Sequence, residues 1–422
     1  MKVVVVGGAS TYTPELVEGL ARHQDVLGAT EIVLLDPDTA RLEVVGGLAK
    51  RMLDHAGWQG VLRCTGDRAG ALDGANVVLL QLRVGGQTAR LSDETFPLEC
   101  GCIGQETTGV GGLAKALRTV PVVLDLAEEV RRRAAPDAWI IDFTNPVGIV
   151  TRALLEHGHR ALGLCNVAIG FQRAFASWLG VDPEIVRLDH VGLNHLTWIR
   201  RVLVGGTDVL PSIIDDHAAE LEQRTQLPIE LIRDLRAVPS YYLHYFYRHD
   251  AVLAEQRGGG TRAAEVMRIE ADLIEMYRDP ALVTKPALLD ERGGAFYSEA
   301  AVRLMSSLIG GRDDVHVVNL RNGDTIPTLP ADTVIEVPAM VGVGGATALP
   351  VDPLPPDMSG LIHHVAAYER LALEAALSGD DRDARRALLA HPLVGQWEIA
   401  GDVWTRLRDA NRAYLPEARG RS

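Results

Sequence analysis

Residues 1–23 read MKVVVVGGASTYTPELVEGLARH and residues 31–36 read EIVLLD. A β-branched run stops on Gly7-Gly8, Thr13 reads as a helix N-cap, and Pro14 stands at the first helical position. The second apolar run ends on Asp36. Strand, glycine turn, helix and a second strand closed by an acid is the spacing of a nucleotide-binding βαβ unit. Backbone N–H groups at the helix start can hold a pyrophosphate, the helix dipole favours its charge, and the acid stands where a ribose would be met. Gly7, Gly8, Ser10, Thr11 and Asp36 are the expected cofactor contacts. The turn is Gly-Gly-Ala-Ser rather than a full G-x-G-x-x-G, so a plain βα turn with an acid at a strand end is the competing reading.

Outward from this unit, strand-length runs recur at α/β spacing: ANVVLLQLR (75–83), AWIIDFTNP (138–146) and RALGLCN (160–166). Helical or loop-like stretches separate them, the clearest being VPVVLDLAEEVRRRAA (120–135). Parallel strands wound with helices are the economical arrangement, and their C-terminal ends form the ligand crevice. Arg83, Asn145, Cys165 and Asn166 all fall at such ends. The Cys-Asn pair closing an apolar run therefore stands where such a sheet presents chemistry; taken alone, the cysteine reads equally as a small core hydrophobe. After residue 170 the pattern turns to mixed strands and long amphipathic helices, such as RAAEVMRIEADLIEMYRDP (262–280) and the tail from about 358, while QRGGGTR (256–262) reads as a loop. The expected architecture is α/β: a Rossmann-like domain of the lactate/malate dehydrogenase type over residues 1–166, then an α+β domain over residues 167–422 carrying substrate, metal and oligomer contacts.

Composition narrows the function. With 422 residues, 47% hydrophobic and 23% charged, the chain can bury a sizeable core. A net charge of -14 argues against a nucleic-acid partner, which needs a basic face, though not against a local pocket for one small anion. The longest apolar runs fall short of the ~20 residues of a membrane helix. Four irregularly spaced cysteines and the absence of a signal-like opening point to a reducing cytoplasm, where a thiolate ligand stays available.

Several segments, in order along nearly the whole chain, resemble glycoside hydrolase family 4, most closely its 6-phospho-β-glucosidase branch. They are GGASTYTPELVEGL (7–20), LRVGGQTARLSDE (82–94), GCIGQETTGVGGLAKALRTVPVVL (101–124), TNPVGIVT (144–151), CN (165–166), VGLNH (191–195), RGGAFYSEAA (292–301) and HPLVG (391–395). The resemblance implies a glycosidase that departs from the usual two-carboxylate scheme. In that family the sugar is transiently oxidised at carbon 3 by tightly held NAD, and a base removes the acidified proton at carbon 2. The aglycone then leaves carbon 1, water adds, and the hydride returns, with no net redox.

The resemblance also assigns roles. Cys165 and His195 match the family's metal ligands, with Mn²⁺ the expected ion. Asn145 falls among the cofactor and substrate contacts, and Asn166 among the substrate contacts. Family members acting on α-glycosides carry an aspartate where this chain has Asn166, an amide that cannot donate as an acid, which points to a β-glycoside. The family's usual proline two residues beyond is Ala168 here. VPSYYLHYFY (238–247) matches the segment bearing the family's catalytic tyrosine; Tyr242 is the expected base and Tyr241 the alternative, with nearby positive charge expected to lower the phenol's pKa. Arg83 and Arg262, in family-like segments with Arg90 and Arg292, are expected on the substrate's anion, and Glu106 is expected to support the metal or its waters. The implied partner is a small phosphorylated sugar, and the implied assembly a homodimer or homotetramer. TNPVGIVT also resembles malate and lactate dehydrogenases, so an NAD-dependent hydroxy-acid dehydrogenase is the main alternative and a non-catalytic NAD sensor a third.

Overall fold

The computed structural model describes residues 1–293 and 296–415. Gly294 and Ala295 of the RGGAFYSEAA segment lie outside the described residues. The opening βαβ unit forms as read: β1 (Lys2–Val6), the helix Thr13–Arg22 and β2 (Glu31–Leu35). β3 (Val61–Thr65), β4 (Val77–Leu80), β5 (Trp139–Asp142) and β6 (Ala161–Gly163) complete a parallel sheet in the order β3-β2-β1-β4-β5-β6, the Rossmann order. Helices cover both faces, which is why β1, β2 and β4 are unbroken apolar runs rather than alternating ones. β3 gave no such run: it is the edge strand, and Val61, Arg63 and Cys64 are exposed.

The remaining strands are β7 (Val186–Leu193), β8 (Leu196–Val204), β9 (Thr207–Asp208), β10 (Val238–Pro239), β11 (Asp314–Arg321), β12 (Val334–Gly342) and β13 (Gly345–Ala348). They extend the same sheet: β11 pairs antiparallel with β6 through Asn319 opposite Gly163, and β12, β7, β8 and β10 follow outward. Near residue 166, then, the sheet changes from parallel to antiparallel without a break. Later helices fold back over the early ones. Tyr297–Gly310 packs on Thr13–Arg22, Arg262–Tyr277 on Thr39–His55 and Gly86–Glu99, and both Pro356–Ser378 and Trp397–Asn411 on Gly109–Arg133. Among the described residues no helix is long and apolar enough to cross a membrane, and all four cysteines are free thiols.

Candidate active site

A cavity of about 1240 Å³ opens at the C-terminal ends of the parallel strands. At one end lie Gly7, Ala9, Ser10 and Asp36. Gly7 has φ +86°, a conformation that favours glycine, and a Cβ there would stand 2.8 Å from the Gln81 carbonyl oxygen. A Cβ on Gly8 would meet Leu34, so this glycine lets the turn pack on β2 rather than line the cavity. Thr11 is also off the wall, wholly buried with its carbonyl accepting the Tyr277 hydroxyl at 2.6 Å. Thr13 is not the N-cap: Tyr12 holds that position. The Thr13 hydroxyl instead donates to Gly8 O at 2.9 Å and accepts from Gln81 Nε2, tying the turn to the end of β4. Asp36 accepts from the N–H groups of Ala9 and Asp38 at 3.1 and 3.0 Å, which fixes its carboxylate against the turn.

At the other end, β5 and β6 deliver Asn145 and Asn166 to the wall. Asp142 braces the loop after β5, accepting from Thr144 N at 2.8 Å and Thr151 Oγ1 at 3.2 Å. Asn145 Oδ1 is buried without a protein partner, an acceptor left for a ligand. Cys165 caps the Asn166–Leu179 helix, where the Asn166 and Val167 N–H groups and the Asn194 amide face its sulfur; burial nevertheless pushes the thiol up, with Glu336 adding to it. His195 stands in the β7–β8 turn at φ +63°, buried, its Nδ1 hydrogen-bonded to Thr107 Oγ1 at 2.9 Å. Burial pushes His195 down to about 4.

Tyr242, in the short turn after β10, stacks on the His195 ring with centroids 3.6 Å apart, and its phenol also feels the Cys165 thiol. Cys165 and His195 therefore sit directly behind the cavity wall formed by Asn166 and Tyr242. Among the described residues no group of three or more His, Cys, Asp or Glu side chains could hold a metal. Two buried donors, a soft sulfur and an imidazole oriented through its second nitrogen, nevertheless suit a divalent ion that takes its other ligands from substrate and water. Arg90 is the cationic side chain whose charge reaches Tyr242, but burial, Tyr241 and Cys165 prevail and push the phenol up rather than down. Tyr241, 4.6 Å away ring to ring, shares the wall.

Glu106 lies between these two ends. Arg83 chelates it through both guanidinium nitrogens, Lys115 Nζ reaches it at 2.6 Å and Arg90 Nε at 3.2 Å. Burial would raise this carboxyl, but Arg83, Lys115 and Arg90 together hold it well below the usual range. Burial and Arg83 push Lys115 down to about 7 against the pull of Glu106. Glu106 is thus the carboxylate centre of a cationic cluster, and its neighbour Thr107 is what touches His195. Arg262 is at the exposed rim, ion-paired to Glu265 at 2.5 Å and bonded to Glu291 O at 2.6 Å.

The family described as Family 4 glycosyl hydrolase matches residues 2–181, and its C-terminal domain matches residues 190–394. The chain belongs to glycoside hydrolase family 4. It is 38% identical over 432 residues to a probable 6-phospho-beta-glucosidase of Bacillus subtilis, covering 99% of this chain and 98% of that one. Its fold superposes with TM-score 0.92 on a 6-phospho-beta glucosidase from Thermotoga maritima solved with manganese, NAD+ and glucose-6-phosphate, 35% identical over 98% of this chain and 99% of that one. A lactate dehydrogenase from a deep-sea metagenome library shares the fold alone, at 14% identity and TM-score 0.55 over 89% of this chain and 98% of that one.

For a family 4 chain, several residues at the site carried no role in the sequence. Lys115 and Arg118 lie three apart in the largely apolar first half of the Gly109–Arg133 helix, a pattern that could have marked them. Arg118, fully buried, binds Asp93, Asn411 and Val84 O, and so holds the segment bearing Arg83. Glu336 accepts from His190, Asn194 and Asn319 at 2.9 to 3.0 Å, and no local signal could reveal this because the partners come from two other strands, β7 with its turn and β11. His391, in HPLVG, accepts from Gly109 N at 3.0 Å and so secures the 107–109 turn.

Proposed function

We propose that this family 4 chain hydrolyses 6-phospho-β-glucosides, with NAD and a divalent metal, by transient oxidation at carbon 3 followed by elimination and addition. The observation that carries this reading is the continuity of one cavity from a dinucleotide turn to a polar pocket backed by a cysteine and a histidine. Gly7, Ala9, Ser10 and Asp36 would line the dinucleotide seat, with Gly8 and Thr11 shaping the turn from behind rather than touching the ligand, and Cys165 and His195 would hold the metal. When bound, the cofactor supplies reversible hydride acceptance and the metal, Mn²⁺ by preference, polarises adjacent sugar oxygens.

The chain's own residues do the rest. Tyr242 Oη takes the proton from sugar carbon 2. Asn145 and Asn166 orient the sugar hydroxyls, and the amide at Asn166 favours a β-linked leaving group that departs without a carboxylic acid at that position. Arg83, Arg90 and Lys115 gather around Glu106 and Glu94, three basic side chains to two carboxylates, so Arg83, aided at the rim by Arg262, engages the phosphate. The chain would work in the cytoplasm, as a homodimer or homotetramer.

The test is a panel of aryl β-glycosides with and without 6-phosphate, supplied with NAD, Mn²⁺ and a thiol reductant. Turnover confined to the 6-phosphorylated β-glycosides, without net NADH, is the expected result. Stoichiometric NADH formed from a hydroxy acid would replace this reading with a dehydrogenase, and NAD binding without any turnover would replace it with a sensor.

A further inference from the structure

Beside the dinucleotide turn lies an ion-pair system that the proposed reaction does not use. Glu270, on the Arg262–Tyr277 helix, has a side chain only 8% exposed. Its Oε2 accepts from Arg41 Nη2 at 2.9 Å, and its Oε1 from Gln87 Nε2 at 2.9 Å and from Arg292 Nε at 2.9 Å. Arg41 belongs to the first turn of the helix that follows β2, and its Nε donates to Ala9 O at 2.9 Å, on the glycine turn itself. Asp36, Asp38, Arg41 and Glu270 line the same end of the cavity. Burial works against the Glu270 carboxylate, yet Arg292 and Arg41 hold it below the usual range, so it stays charged near neutrality.

In a Rossmann site the acid at the end of the second strand meets the ribose 2′-hydroxyl, and an arginine close by is what accommodates a 2′-phosphate. This chain carries both an acid and an arginine there, which leaves its choice of dinucleotide to the state of the arginine. Arg41 is held in place: Nε and Nη2, two of its three nitrogens, are committed to Ala9 O and Glu270. Around Arg41 stand the carboxylates Asp36, Asp38 and Glu270, with Arg292 the cation paired to the same Glu270, so acids outnumber bases beside the turn and oppose a further phosphate.

We propose that Glu270 is the specificity-determining residue that excludes 2′-phosphorylated dinucleotides, by holding Arg41 in an ion pair away from the ribose. The proposal rests on the dinucleotide reading above. It predicts that removing the Glu270 carboxylate releases Arg41 to pair with a 2′-phosphate in the bidentate manner that guanidinium geometry favours. Binding is read directly, without turnover, by titrating NADH and NADPH and following nucleotide fluorescence.

For Glu270→Gln and Glu270→Ala, the affinity for NADPH relative to NADH should rise about tenfold or more, the scale of a hydrogen bond to a charged group. Glu270→Gln keeps side-chain volume and one acceptor, so it serves if the alanine variant does not fold. General loosening of the fold would weaken both nucleotides alike and leave their ratio unmoved. Adding Arg41→Ala to Glu270→Gln should cancel the gain. A ratio unchanged in both Glu270 variants, or a gain that survives without Arg41, would overturn the proposal while NADH binding by the parent chain leaves the dinucleotide reading intact. A parent chain that binds neither nucleotide would overturn both.

Discussion

Cys165 is pulled two ways. The helix N-terminus and the Asn194 amide favour its thiolate, while burial and Glu336 favour the thiol. A bound divalent cation would decide the contest for the thiolate, since a coordinating thiol is deprotonated outright. His195, pushed down to about 4, is neutral throughout the physiological range and so keeps a lone pair to offer. Cys165→Ser and His195→Ala should each abolish Mn²⁺-dependent turnover while NADH binding and thermal unfolding change little, because neither residue belongs to the dinucleotide turn. Full activity of Cys165→Ser at the same Mn²⁺ demand would reduce the thiol to packing. Cys165 and Asn166 could be placed at a sheet end because they close an apolar run, whereas His195 was reached only through the family resemblance, since its buried position at φ +63° has no local signal. The fate of Glu106 was not, because its Arg83, Arg90 and Lys115 partners come together only through tertiary packing.

Among the elements, β6 joins the two halves of the sheet, and Gly163 is its critical position. The Gly163 carbonyl lies within 3.5 Å of Asn319 Nδ2, and a Cβ there would stand 2.7 Å from Val147 Cγ1 and 2.8 Å from Asn319 Cβ. Gly163→Ala should destabilise by about 1–3 kcal/mol through overpacking. Because Cys165 lies two residues on, it should weaken Mn²⁺ dependence too. Denaturant unfolding and a Mn²⁺ titration check the two effects, and an unchanged midpoint would show that β6 shifts freely. The strand–turn–helix–strand opening was readable because local propensity and burial agree there. β3 was not, since an edge strand with exposed Val61, Arg63 and Cys64 carries no apolar run. The antiparallel extension was hidden for a different reason: Asn319 meets Gly163 across 156 residues of sequence, and nothing local announces such a pairing.

The whole molecule buries charge behind the site, and its stability should show it. Burial, opposed by Arg152 and assisted by Glu336, raises Glu369 from 4.5 to about 8. The folded chain therefore holds a proton that the unfolded chain releases. This contribution is fully present below about 4.5 and is lost as pH rises towards about 8. Glu369→Gln, which mimics the protonated acid, should flatten the fall in Tm across that window, and parallel Tm profiles would contradict the assignment. The central claim concerns chemistry at carbon 2, where elimination requires the C–H bond to break and direct displacement leaves it intact. Substrate turned over in deuterated water should give sugar carrying deuterium at carbon 2, and Tyr242→Phe should lose ~10²-fold or more of the rate, the scale of a general base. Product from the parent enzyme with no solvent deuterium at carbon 2 would contradict the account.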